Sequence, residues 1–193
     1  MIKFIKKILL KLIIIFSAFN SFYSFKRTFI MNENNYKRRL LKKINKFYKA
    51  DIFIETGTFD GRTCIYLKNS FEELFTIEVN KNLFDKLVIK LKKYKNINLI
   101  FGDSAIQLNE IKFNNSKKYI FWLDAHFSGP GTENSKNPIL KELKIIKSKN
   151  LVESIIIIDD MDCFSLQHGN IKYSEIIIHL ESINPNFIFS PAA

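Results

Sequence analysis

From residue 51 onward the chain switches repeatedly between short apolar runs and segments of helical period. This alternation constrains the fold more than any other feature. The apolar runs cover 52–55, 74–79, 97–101, 119–124 and 152–159, and helix-period stretches follow at about 62–70, 81–93, 104–112, 137–148 and 173–182. Runs that are apolar almost throughout, such as Ile155-Ile156-Ile157-Ile158, suit strands covered on both faces. Strand and helix in alternation predict parallel βαβ units, hence an α/β fold with a Rossmann-like, doubly wound, mostly parallel sheet. Right-handed crossovers bring all the strand C-terminal ends to one edge, where such sheets bind ligands. Function is therefore sought in the residues that close each strand.

The 193 residues suit one domain, and an apolar fraction of 47% excludes global disorder. A net charge of +11 suggests a polyanion partner until it is divided along the chain. Residues 1–50 hold 13 Lys and Arg against the single acid Glu33, which is +12, and the remainder holds 17 bases and 18 acids, which is −1. The body is neutral, so a nucleic-acid partner is unlikely on this count. The predicted organisation is a basic N-terminal arm over 1–31 and one domain over 32–193, led by a basic helix at 36–50. In the arm, Lys3, Lys7 and Lys11 recur every fourth residue opposite Ile5, Leu9, Leu12, Ile13 and Phe16. That pattern predicts an amphipathic helix over residues 2–23 lying in a membrane interface. Its lysines interrupt too often for a spanning helix, and no small-residue cleavage site follows. The two cysteines, Cys64 and Cys163, form no disulfide framework or metal spacing, which agrees with a cytoplasmic protein, peripheral at most on the inner face of a membrane.

The first strand runs into Glu55-Thr56-Gly57-Thr58-Phe59-Asp60-Gly61. Two glycines there permit a tight turn onto a helix N-terminus and a close approach of backbone to ligand. The spacing is not the G-x-G-x-x-G of dinucleotide sites. The second strand ends at Glu78, a carboxylate placed to accept both hydroxyl protons of a ribose. The third ends in Gly102-Asp103-Ser104, where Asp103 can accept an adenine amino proton, cap the next helix, or both.

These three strand ends, taken in order over residues 50–190, resemble the class I S-adenosylmethionine-dependent methyltransferases. The resemblance implies that Glu55, Thr56, Gly57, Thr58 and Gly61 cradle the methionine part of S-adenosyl-L-methionine. It further implies that Glu78 binds the ribose and that Asp103 and Ser104 lie near the adenine. That family usually finishes with a sixth strand and an antiparallel seventh. Here only 186–190 remains for them, so the C-terminal strand pair is expected to be truncated.

The fourth run ends in Asp124-Ala125-His126 and the fifth in Asp159-Asp160. Carboxylates converging from neighbouring strands repel unless they share a proton or a cation, and hard oxygen ligands suit Mg²⁺. The layout is similar to the macrocin-type metal-dependent O-methyltransferases, in which Asp124, Asp159 and Asp160 would fall on the metal-ligand positions. A metal there would lower the pKa of a substrate hydroxyl. His126, two residues past Asp124, is the candidate general base. The Gly- and Pro-rich stretch 127–138 is a candidate lid. The sequence thus points to O-methylation of a sugar, glycan or other small hydroxylated substrate. The alternative is a catalytically silent Rossmann-like module tethered to a membrane by the arm.

Overall fold

The structure, a computed structural model, describes residues 12–15, 33–125, 137–151, 153–159, 171–185 and 188–191. In chain order the elements are β1 (Leu12–Ile15), α1 (Glu33–Tyr48), β2 (Ile52–Thr56), α2 (Arg62–Leu67), β3 (Glu73–Glu78), α3 (Lys81–Leu91), β4 (Ile97–Phe101), α4 (Ser104–Glu110), β5 (Tyr119–Leu123), α5 (Ile139–Ser148), β6 (Ser154–Ile158), α6 (Tyr173–Ile183) and β7 (Ile188–Pro191). The strands form one sheet in the order β4-β3-β2-β5-β6-β1-β7, and every pair is parallel. The doubly wound α/β reading holds, and the five predicted strands each appear within two residues of their expected bounds.

The period of two along each strand sorts the core into two layers. On one face Phe53, Leu74, Ile120, Trp122, Ile155 and Ile157 pack against Leu41, Ile44 and Tyr48 of α1, Cys64 and Leu67 of α2, and Leu87 and Leu91 of α3. On the other face Ile54, Ile77, Phe121, Leu123, Ile156 and Ile158 meet Leu108 of α4, Leu143 and Ile146 of α5, and Ile176 and Leu180 of α6. All five residues of β2, β5 and β6 are buried, including the polar Glu55, Thr56 and Ser154. From β2 the chain winds outward to β3 and β4, then crosses back to β5 on the other side of β2. The reversal opens a crevice at the C-terminal ends of β2 and β5.

Two expectations change at the far edge. Leu12–Ile15, assigned above to an amphipathic helix, is a β-strand, with Ile14 opposite Ile157 and Leu12 opposite Ile188. A run of four apolar residues, three of them β-branched, carries no period that separates a buried strand from a helix. The open edge of β6 offers it a ladder of backbone partners. The remainder of the arm, with its predicted membrane contact, lies outside the described residues. No helix among the described residues is long and apolar enough to cross a membrane. Among the described residues β7 follows β6 in the chain, and the sheet reaches seven strands because β1 enters between them.

Replacing Leu143, which is fully buried, with Ala should lower the unfolding free energy by about 2–5 kcal/mol, whereas Ile178→Ala, on the exposed side of α6, should change it by about 0.5 kcal/mol or less. Urea denaturation followed by Trp122 fluorescence measures both.

Candidate active site

Backbone contact fixes the crevice before any side chain acts. The Asp124 amide donates to the Thr56 carbonyl at 3.1 Å and lies 3.2 Å from Thr56 Oγ1. The Gly57 amide donates to the Ile77 carbonyl at 3.0 Å. Gly57 sits at φ +85°, and a Cβ built there would fall 2.5 Å from the Asp124 carbonyl oxygen. Only glycine permits that approach. Gly61, at φ +72°, precedes the first turn of α2, and a Cβ there would crowd Leu87 at 2.9 Å.

Around this turn the acids take different roles. Glu78, at the end of β3, is 5% exposed. One carboxylate oxygen accepts the Phe59 amide at 2.9 Å and the other the Asn80 amide at 2.8 Å. Burial pushes its pKa up, and the backbone donors Asn80, Phe59 and Val79 pull it back. The backbone donors fix the orientation of the carboxylate. Asp103 caps α4 by accepting the Ile106 amide at 3.1 Å, so its predicted capping role is realised at the ligand edge.

Glu55 lies beneath the turn. It is 2% exposed, and its Oε2 accepts from Cys64 Sγ at 2.8 Å and from Thr76 Oγ1 at 2.7 Å. Thr76 Oγ1 is in turn 2.6 Å from Thr58 Oγ1. A relay of hydroxyls therefore ties Glu55 to the turn from the α2 side. Burial pushes the Glu55 carboxyl up to about 7, against the lowering influence of the Cys64 and Thr76 hydrogen bonds. Burial also drives the Cys64 thiol well up, and the adjoining Glu55 charge adds to it.

Thr56 points to the opposite face, where it meets an acid that the sequence analysis passed over. Glu142 of α5 is 1% exposed and is hydrogen-bonded to the Ser104 and Thr56 hydroxyls. Burial lifts it to about 7, with Asp103 and Asp124 adding to the rise. Its Oε1 has no hydrogen-bond partner among the described residues. The sequence held a signal for it: Glu142 stands three residues after Ile139 and four before Ile146, on the buried stripe of α5.

Asp124 and Asp159 follow β5 and β6 directly, and the Asp159 amide donates to the Leu123 carbonyl at 3.0 Å. The period of two places both side chains on the face that α1 covers. Asp124 Oδ2 lies 3.4 Å from Trp122 Nε1. Asp159, 3% exposed, is paired with Lys37 of α1, whose Nζ lies 2.7 Å from Oδ1 and 2.9 Å from Oδ2. Lys37 went unnoticed in the sequence because it stands among six cations on one helix. His126, Asp160 and residues 127–136 of the candidate lid lie outside the described residues, while Asn137 and Pro138 lead into α5.

No family model matches the sequence, and no curated protein matches it closely enough to serve as a relative. Solved structures do match. The S-adenosylhomocysteine-bound methyltransferase PaMTH1 of Podospora anserina superposes with a TM-score of 0.55 at 14% identity, over 84% of this chain and 74% of that one. The O-methyltransferase TomG of Streptomyces achromogenes, involved in tomaymycin synthesis and solved with S-adenosylmethionine, gives 0.53 at 14% identity, over 77% of this chain and 66% of that one. This is the class I S-adenosylmethionine-dependent methyltransferase fold.

A methyltransferase fold raises two questions of fit. For the cofactor, the chain offers the glycine turn, a Glu78 carboxylate oriented by two backbone donors, and Asp103 at the next strand end, a donor and acceptor set that suits a nucleoside. For a divalent metal, no group of three His, Cys, Asp or Glu among the described residues is arranged to hold an ion, Asp160 of the expected ligand set lies outside them, and an ammonium engages both oxygens of Asp159.

Gly57→Ala should cost about 2 kcal/mol or more, because it combines a left-handed φ with a clash against backbone, and thermal melts of the variant measure it. Glu142 supplies a second expectation, for pH. Its folded-state pKa of about 7 lies above the ordinary 4.5, so the folded protein keeps a proton that the unfolded chain releases. Unfolding free energy therefore falls as pH rises from about 4.5 to about 7 and levels above that. Glu142→Gln should flatten this slope and leave the variant more stable than the parent at about pH 8, by roughly 3 kcal/mol at most. Glu55 keeps the remaining slope. Urea titrations across that range measure the difference.

Proposed function

We propose that the chain is an S-adenosylmethionine-dependent methyltransferase that acts on a hydroxyl oxygen of a small substrate. The observation that carries this is Glu78: an almost fully buried carboxylate at the second strand end, with each oxygen oriented by a backbone amide of the surrounding turns. Burying such a group is costly unless it gains partners, and its place at the end of β3 puts it at the edge where a ribose would lie.

Within this proposal the residues divide the work. Glu78 accepts the ribose hydroxyls, and Asp103 with Ser104 borders the adenine. The turn of Thr56, Gly57, Thr58 and Gly61 brings backbone against the methionine part. Glu55 acts on that turn from beneath, through Thr76 and Thr58, rather than by touching the ligand. When bound, the cofactor supplies an electrophilic methyl group on a sulfonium. The acceptor hydroxyl must lose its proton as oxygen attacks, and Asp124, at the crevice beside Gly57, is placed to receive it, with His126 the candidate two residues further on. Acidic strand ends also support the finer reading, a macrocin-type enzyme that methylates sugar hydroxyls. No step is assigned to Mg²⁺, because Lys37 occupies Asp159.

Isothermal titration with S-adenosylhomocysteine tests the core of the proposal. The protein should bind it, and Glu78→Ala should weaken binding more than tenfold, a loss of about 1.5–3 kcal/mol from ribose hydroxyls left unpaired in a dry site. Absence of binding to the parent protein would sink the methyltransferase reading. Unchanged affinity in the variant would remove Glu78 from the ribose.

A further inference from the structure

Lys37 is one residue of a basic helix, yet its surroundings differ from those of the cations beside it. Of the seven Lys and Arg of residues 37–49, Arg39, Lys42, Lys43, Lys46 and Lys49 are exposed, and Arg38 is buried with its guanidinium donating to Asn35 at 2.8 Å. Lys37 instead reaches an acid at a strand end. Its side chain is 17% exposed, and its ammonium contacts both oxygens of Asp159 across 122 residues of sequence. The carboxylate it meets is 4% exposed and follows β6, directly beside the β5 end that carries Asp124. An ion pair buried this deeply is held only when geometry is good, since desolvation of both charges opposes it.

A divalent cation would need these same oxygens. Mg²⁺ and Mn²⁺ bind carboxylate at about 2.0–2.1 Å and demand near-octahedral surroundings filled by water and further oxygen. With Lys37 in place, such an ion would sit in contact with an ammonium and would compete with it for both oxygens of Asp159. We infer that Lys37 is the resident cation of the β6 strand end, and that it takes the place a divalent ion would otherwise hold on the Asp159 carboxylate. The same contact latches α1 to the end of β6. The inference rests on the Lys37–Asp159 geometry and stands whether or not the crevice binds S-adenosylmethionine.

The test compares the parent protein with Lys37→Ala and Lys37→Arg, using Mn²⁺ as the probe. Free Mn²⁺ is followed by electron paramagnetic resonance, and stability by thermal melting. The parent should leave the free-ion signal undiminished at millimolar Mn²⁺ and should melt identically with Mn²⁺ or with chelator. Lys37→Arg should behave the same way, because it keeps the charge. Lys37→Ala should melt at a lower temperature, since it removes the ammonium that faces the buried Asp159 carboxylate. It should also take up Mn²⁺ and recover at least half of its lost melting temperature, and adding Asp159→Asn should abolish that uptake. Uptake of Mn²⁺ by the parent that disappears in Asp159→Asn would overturn the inference, because the acids would then hold a metal with Lys37 present. A folded Lys37→Ala protein that ignores Mn²⁺ would overturn it equally. Should Lys37→Ala fail to fold, the parent and Lys37→Arg titrations decide by themselves: Mn²⁺ uptake by either refutes the inference and indifference of both supports it.

Discussion

Everything at the crevice depends on one close approach of backbone to backbone. Where β2 ends, Gly57 passes so near the Asp124 carbonyl that no side chain fits between them, and the Asp124 amide closes the other half of the contact on Thr56. This is where the sheet reverses its winding, so the two strand ends have no helix between them to set their separation. The hydrogen bond and the missing Cβ set it instead. Both the turn that would hold the methionine part and the first acid of the β5 end take their positions from that contact.

The turn is then braced from both sides of the sheet by acids that do not reach solvent. Glu55 acts from the α2 side through Thr76 and Thr58, and Glu142 from the α5 side through Thr56 and Ser104. Each pairs a carboxylate with hydroxyls rather than with a base. Hydroxyls can donate to an ionised carboxylate or accept from a protonated one, so these braces survive a change of proton where an Arg pair would not. The cost is a buried acid whose charged form is disfavoured, and the pKa of both groups rises accordingly. Conformational precision at the turn is obtained at the expense of stability in neutral solution.

Much of this could be read in the sequence, for physical reasons that differ by element. Strands β2, β5 and β6 were legible because burial on both faces favours a short apolar run, and β3 and β4, although partly exposed, were legible from apolar runs of the same length set between helix-period segments. The strand ends were legible because a doubly wound sheet gathers its ligands there, so Glu78 and Asp103 could be placed without knowing a single contact. Glu55 was legible as a strand-end residue but its bonds to Cys64 and Thr76 were not, since a strand's period of two says which face a side chain takes but not what lies beyond it. Lys37 and Glu142 escaped notice for opposite reasons. One stood among many identical charges, and the other was a single acid on an apolar stripe. Leu12–Ile15 was misassigned because four apolar residues are too few to show a period, and its partners are more than 140 residues away.

That last distance bears on how the chain reaches its native state. Strands β2 to β6 are joined by local crossovers and can assemble as each βαβ unit is completed. β1 can find its place only once β6 exists, although it is the first strand to be made. During synthesis the Leu-Ile-Ile-Ile segment must wait, unpaired and apolar, for nearly the whole length of the chain. Loop closure over that span is entropically slow, and an idle strand is a template for other chains. The lysines at positions 3, 6, 7 and 11, just ahead of it, are well suited to keep that waiting strand apart from its neighbours.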